Sequence, residues 1–78
     1  MSLTLERMRA DIARVIHLDP EEVGDGDSLP DLGLDSLRLM RLALQWEEAG
    51  LKADFSMFAE HTTLGEWWTE ITARGLAG

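Results

Sequence analysis

Gly33-Leu34-Asp35-Ser36-Leu37 places one hydroxyl where an acidic loop turns into a strongly apolar helix. A serine there lies at the positive end of the helix dipole, beside amide N–H groups with no partner inside the helix. Such a position welcomes a phosphate ester, and a phosphodiester on Ser36 would be held by geometry the helix already supplies. Serine is also common at helix starts for capping reasons alone. Here Asp35 supplies a cap of its own, which frees the Ser36 hydroxyl to point outward. Gly33 allows the backbone to turn tightly and leaves room for another protein's surface.

Other chemistry finds little support. There is no Gly-x-Ser-x-Gly elbow, and neither His17 nor His61 lies in a motif that pairs it with a nucleophile, so the chain is not expected to be an enzyme. Both histidines are expected at the surface. Asp25, Asp27 and Asp31 suggest a calcium loop, but the third acid of an EF-hand falls on Leu29 and the required glycine on Pro30. A solvated acidic loop is the expectation there. No His or Cys cluster has zinc-ligand spacing. Trp46, Trp67 and Trp68 read as packing residues; Trp67 and Trp68 point about 100° apart on a helix, so one of them is expected to be partly exposed.

The elements that must position Ser36 are helical. Leu5, Met8, Ile12, Val15 and Ile16 recur at helical spacing with Arg7, Asp11 and Arg14 opposite, predicting a first helix from Leu5 to His17 capped by Thr4. Asp19-Pro20-Glu21-Glu22 reads as a single capped turn. A long loop from Gly24 to Leu34 follows, with Val23, Leu29 and Leu32 spaced to pin it down. The second helix starts at Asp35 or Ser36 and ends near Ala49, with Gly50 as its stop. Its Leu39, Leu42, Ala43 and Trp46 form one apolar stripe, while Leu37, Met40 and Leu44 form another; Arg38, Arg41 and Gln45 fill the wet sector. Leu44 is expected to pack against the loop or the short helix, and Met40 to serve as an adaptable docking residue. Asp54–Ala59 reads as a short helix held by packing. Thr63-Leu64-Gly65-Glu66 is a capping box opening a last helix that ends at Gly75.

Seventy-eight residues, 45% of them hydrophobic and none cysteine, make one all-helical domain over 1–78, stabilised by packed helix faces. Met1-Ser2-Leu3-Thr4 carries no secretion signal, and no run is long enough to span a membrane, so a cytoplasmic monomer is expected. A net charge of -8 argues against nucleic acid as a partner. The residues alone leave a second reading open: a small acidic interaction module in which Ser36 is only a helix-start residue.

Asp31-Leu32-Gly33-Leu34-Asp35-Ser36-Leu37 resembles the phosphopantetheine attachment motif of acyl and peptidyl carrier proteins. Leu29, Leu39 and Thr63-Leu64 fall where such domains keep apolar and capping residues. Asp35–Met40 followed by Trp46, then Asp54-Phe55, Met57, Ala59 and Trp67-Trp68, is similar to the aryl carrier domains of siderophore-type nonribosomal peptide synthetases, above all the carrier fused to isochorismatase.

The resemblance implies a four-helix carrier bundle bearing 4′-phosphopantetheine on Ser36. A phosphopantetheinyl transferase would supply that group from coenzyme A. An aryl-acid (or amino-acid) adenylation enzyme would then load it, and a condensation domain would take the acyl group. The resemblance also implies docking residues: Gly33, Leu34, Asp35, Leu37, Arg38, Met40, Phe55 and Ala59. Gly33 and Asp35 would face the transferase, and Met40, Phe55 and Ala59 the downstream synthetase. Fatty-acid carriers line the second helix with acids, whereas Arg38 and Arg41 stand here, which favours synthetase-type partners. A free-standing peptidyl or polyketide-type acyl carrier is the alternative. The chain departs from many relatives in having His61-Thr62-Thr63 where they place proline before the last helix. The isochorismatase half is not in this sequence, which reads as a free-standing carrier or an excised domain.

Overall fold

In the computed structural model, residues 3–77 are described, and four α-helices enclose one apolar core. Met1 and Ser2, which entered the N-terminal reading, lie outside the described residues. The helices are α1 (Leu5–Ile16), α2 (Ser36–Glu48), α3 (Phe55–Glu60) and α4 (Leu64–Arg74). A 3-10 turn over Pro20–Glu22 follows α1. Helix α2 packs on α1 and α3, and α4 packs on the same two. Among the described residues there is no strand, and no helix is long and apolar enough to cross a membrane.

Helices α1, α2 and α4 each begin where a side chain satisfies a free amide, whereas Asp54 makes no such bond at the start of α3. Thr4 accepts from Arg7 N at 3.1 Å, Asp35 from Arg38 N at 2.8 Å and Thr63 from Glu66 N at 3.2 Å. Helix α1 stops one residue earlier than its periodicity predicts, because His17 adopts a left-handed conformation (φ 62°) and turns the chain. Its own amide and that of Leu18 both bond the Ala13 carbonyl, closing the helix end. Gly75 closes α4 in the same conformation.

Met8, Ile12, Leu42, Trp46, Leu64 and Ile71 are fully buried, as their stripes predict. The bulk of the centre is aromatic. Phe58 and Trp67 meet edge-on with centroids 5.0 Å apart, and Trp46 lies 5.7 Å from Phe58 and 6.3 Å from Trp67. Of the adjacent tryptophans, Trp67 is buried and Trp68 half-buried, as their 100° separation requires.

Asp11 departs from expectation. Its place opposite the apolar stripe predicts a solvated carboxylate, yet it is buried between α1 and α2. Trp46 Nε1 donates to Asp11 Oδ2 at 3.0 Å, and Arg7 and Arg14 flank the same carboxylate at 3.6 and 3.4 Å. Burying an indole as large as Trp46 requires an acceptor for its N–H, and Asp11 is that acceptor.

The long loop is ordered by bonds to the rest of the fold. Leu29 N donates to the Thr62 carbonyl at 2.9 Å, and Gly65 N to the Asp25 carbonyl at 2.9 Å. Arg9 reaches from α1 to the Val23 carbonyl and the Asp25 carboxylate. Val23 and Leu29 are buried and Leu32 half-buried, in line with their reading as pins. A Cβ on Gly65 would come within 2.9 Å of the Asp25 carbonyl, so glycine is what lets the loop lie against α4.

Two stability measurements test this account. Asp11→Ala strands the Trp46 N–H in the core and should destabilise the fold by about 1–3 kcal/mol in urea unfolding; Asp11→Asn, which keeps an acceptor, should cost less. Glu66 provides the second. The Thr63 hydroxyl donates to its carboxylate at 2.9 Å and holds its pKa below the ordinary value, against an opposing desolvation and with help from nearby His61. A carboxylate lowered in the folded state stabilises above its unfolded pKa, and that contribution disappears as pH falls through the folded pKa. The stability difference between wild type and Glu66→Gln should therefore be present near neutral pH and shrink as the pH is lowered through the carboxylate range.

Candidate functional site

Ser36 occupies the first position of α2, immediately after the Asp35 cap. Its side chain is exposed, and among the described residues no hydrogen bond engages its hydroxyl. Asp35 performs the capping, accepting from Arg38 N through Oδ1. Its other oxygen, Oδ2, accepts from Arg38 Nη1 at 2.7 Å. That pair offsets the Asp35 charge beside Ser36, where a second anion would otherwise be repelled. The amides of Ser36 and Leu37 have no acceptor among the described residues, so the helix end retains donors for an anion.

The loop presents this hydroxyl through a tight turn. Leu32 N bonds the Leu29 carbonyl at 3.1 Å, Gly33 N the Pro30 carbonyl at 3.1 Å, and Leu34 N the Leu29 carbonyl at 3.0 Å. Gly33 takes φ +110°, a conformation that L side chains rarely adopt, and no atom lies within 4 Å of where its Cβ would be. Its outer side is open space.

The remaining expected docking residues divide between surface and core. Leu37, Met40 and Phe55 are exposed large apolar side chains, at 59%, 49% and 39%, and Arg38 and Ala59 are exposed too. Ala59 borders a cavity of about 110 Å³ that it shares with Leu34, Leu39 and Phe58. Leu34 is a correction. It is only 6% exposed and belongs to the core, since closing the turn on Leu29 directs its side chain inward. Leu44 is the opposite correction. It was expected to pack on the loop or α3, but it is 56% exposed and extends the Leu37–Met40 stripe along α2. The helical angle placed it on that stripe; α3, only six residues long, does not cover it.

The other candidates stay out of the site. His17 is exposed, while His61 is half-buried, its ring 3.4 Å from Glu66 and 3.6 Å from Glu70. The His61 backbone carbonyl accepts from Trp67 Nε1 at 2.9 Å. Asp25 pairs with Arg9 and Asp27 accepts from Gly24 N at 2.9 Å. Among the described residues no group of histidines and carboxylates could hold a metal ion.

Comparison with known proteins agrees with this geometry. Residues 6–71 match the family model described as the phosphopantetheine attachment site. The acyl carrier protein ScoB of Streptomyces coeruleorubidus is 39% identical over 72 residues, covering 92% of this chain and 85% of that protein. An isochorismatase of Bacillus subtilis is 39% identical over 71 residues, covering 91% of this chain. Enterobactin synthase component B of Escherichia coli is 42% identical over 50 residues, or 64% of this chain. The chain spans only 23% of that isochorismatase and 18% of that synthase component. No solved structure gives a significant match. The four-helix fold and a family match covering most of the chain place it in the phosphopantetheine-attachment family, as a carrier domain whose prosthetic group is covalently bound 4′-phosphopantetheine.

Proposed function

We propose that Ser36 is the attachment point and that the chain carries an aryl acyl group between enzymes of a siderophore-type nonribosomal pathway. One observation carries the reading: an exposed hydroxyl at the start of α2, relieved of capping by Asp35, beside a glycine turn with open space outside it. The residues present suit the group. The free amides of Ser36 and Leu37 offer donors to a phosphodiester oxygen, and the Asp35–Arg38 pair keeps the local field from opposing it.

Ser36 acquires the group when its Oγ loses a proton to a phosphopantetheinyl transferase and displaces adenosine 3′,5′-bisphosphate from coenzyme A. One O–P bond forms and one breaks, and the transferase supplies the catalysis. The chain needs no base beside Ser36 and acts as a carrier, not an enzyme. When bound, the group supplies a thiol that holds the acyl unit as a thioester. Tethering at Ser36 converts each meeting with a partner active site into a local search. Gly33 and Asp35 lie against the transferase in this reading. The exposed apolar residues Leu37, Met40 and Phe55, with Ala59, give the condensation domain a small surface from which release is easy.

The aryl assignment draws on relatives named isochorismatase, enterobactin synthase component B and phenyloxazoline synthase. Arginines on α2 where fatty-acid carriers keep acids support it further. An acyl carrier of another pathway is the second reading, favoured by the 39% identity over 72 residues to the acyl carrier protein ScoB.

Incubation with coenzyme A and a promiscuous phosphopantetheinyl transferase should raise the intact mass of the protein by one phosphopantetheinyl group, and Ser36→Ala should gain nothing. A folded wild type that stays unmodified would refute the carrier reading. A loading panel of aryl-acid and amino-acid adenylating enzymes then tests the aryl reading: salicylate or dihydroxybenzoate should load, and amino acids should not. Met40→Ala, with an unchanged circular dichroism spectrum, should slow acyl transfer to a condensation domain by roughly fivefold or more, the effect of losing an anchor worth about 1 kcal/mol.

A further inference from the structure

The strongest feature left unused is a cleft between α1 and α2, of about 320 Å³, lined by Arg14, Val15, Arg38, Arg41, Leu42 and Gln45. This chain has fifteen acidic residues against seven basic ones, yet three of the seven line this one cleft and no acid does. The charges there are only partly neutralised. Arg14 shares the Asp11 carboxylate with Arg7, so two guanidiniums divide one anion. Arg38 is paired with Asp35. Arg41 is exposed and, among the described residues, forms no ion pair. The cleft is therefore a cationic seam in a protein whose net charge of -8 otherwise repels acidic surfaces.

Its position relative to Ser36 is equally specific. Around α2, Arg41 and Arg38 stand about 100° and 160° from Met40, so the seam borders the apolar stripe on the side facing α1. The stripe itself continues on the other side to Phe55 and Ala59 of α3. Two chemically different surfaces thus flank one attachment point: an apolar one toward α3 and a cationic one toward α1. A carrier must be received by one enzyme and released to another, and distinct surfaces let the two partners be told apart.

We infer that the Arg14–Arg38–Arg41 cleft receives carboxylate side chains from the docking face of the enzyme that loads the prosthetic group. This inference rests on the carrier reading and assigns its loading partner an acidic contact surface. Guanidiniums bind carboxylates in a planar, two-pronged geometry that an ammonium does not offer, so arginine suits the role. Such a rim contact changes the association rate and its salt dependence more than the chemistry that follows.

The test uses wild type, Arg41→Glu, Arg14→Glu/Arg41→Glu and Arg41→Lys, all converted fully to the holo form and verified by intact mass. Arg41→Glu is the principal variant because it breaks no ion pair among the described residues. With the aryl-acid adenylating enzyme that loads wild type, Arg41→Glu should raise KM for the carrier about fivefold with kcat unchanged, and the double variant should raise it more. Arg41→Lys should fall between wild type and Arg41→Glu, and the differences should shrink at about 0.5 M NaCl, where the Debye length is only a few ångströms. Equal KM values for wild type and Arg41→Glu at low salt overturn the cleft assignment while leaving the carrier reading intact. A wild type that accepts no phosphopantetheine overturns the carrier reading itself. Titration of the apo protein with coenzyme A or adenosine 3′,5′-bisphosphate provides the remaining arm: saturable binding lost in Arg41→Glu would make the cleft a phosphate site and also overturn the proposal.

Discussion

Trp46 is the side chain through which the helices of this small bundle are joined. Its ring lies against Phe58 of α3 and Trp67 of α4, and its N–H reaches Asp11 of α1. A domain of this size without cysteines has one core to rely on, and a large indole at the centre fills it with few side chains. The constraint this imposes is polar. An indole buried without an acceptor would lose much of what its apolar surface contributes, so a carboxylate is carried into the α1–α2 interface to meet it. The flanking Arg7 and Arg14 then compensate that carboxylate, and Arg14 thereby becomes one wall of the cationic cleft.

The same economy governs the loop that presents Ser36. Loop residues 24–34 carry little regular structure, and their order comes from a few bonds to distant elements. Arg9 holds the early part, the Asp25 carbonyl docks on α4 through Gly65 N, and the Leu29 amide docks on the α3–α4 junction. With both parts fixed, the turn at Gly33 and the buried Leu34 set where α2 begins. The position of one exposed hydroxyl thus depends on contacts made by residues far from it in the chain.

Function in such a molecule resides in what the core leaves uncovered. Helix α2 buries the stripe of Leu42 and Trp46, while Leu37, Met40 and Leu44 stand on the other side of the helix and stay exposed. That exposed apolar surface would be a liability in a protein with no partners. It lies beside a family-defining attachment motif, between the arginines of the α1–α2 cleft and Phe55 of α3.

Much of this was written in the sequence. Helical periodicity, three capping residues and the glycine stops located every helix to within a residue or so, because those signals are local: a threonine or aspartate three residues before a free amide caps it wherever the helix packs. The Asp35-Ser36 pair and the Gly33 turn were legible for the same reason. Tertiary structure decided the rest. Asp11 has the pattern of a solvated residue and is buried, since its environment is set by Trp46, thirty-five positions away. Leu34 and Leu44 exchanged their expected places, because burial depends on which neighbour covers a side chain and not on its own hydrophobicity. The sequence shows Gly65 only as part of a capping box, and the fold alone brings the Asp25 carbonyl against it. The cationic cleft is likewise invisible in a chain of net charge -8, for it exists only where α1 and α2 bring Arg14 beside Arg38 and Arg41.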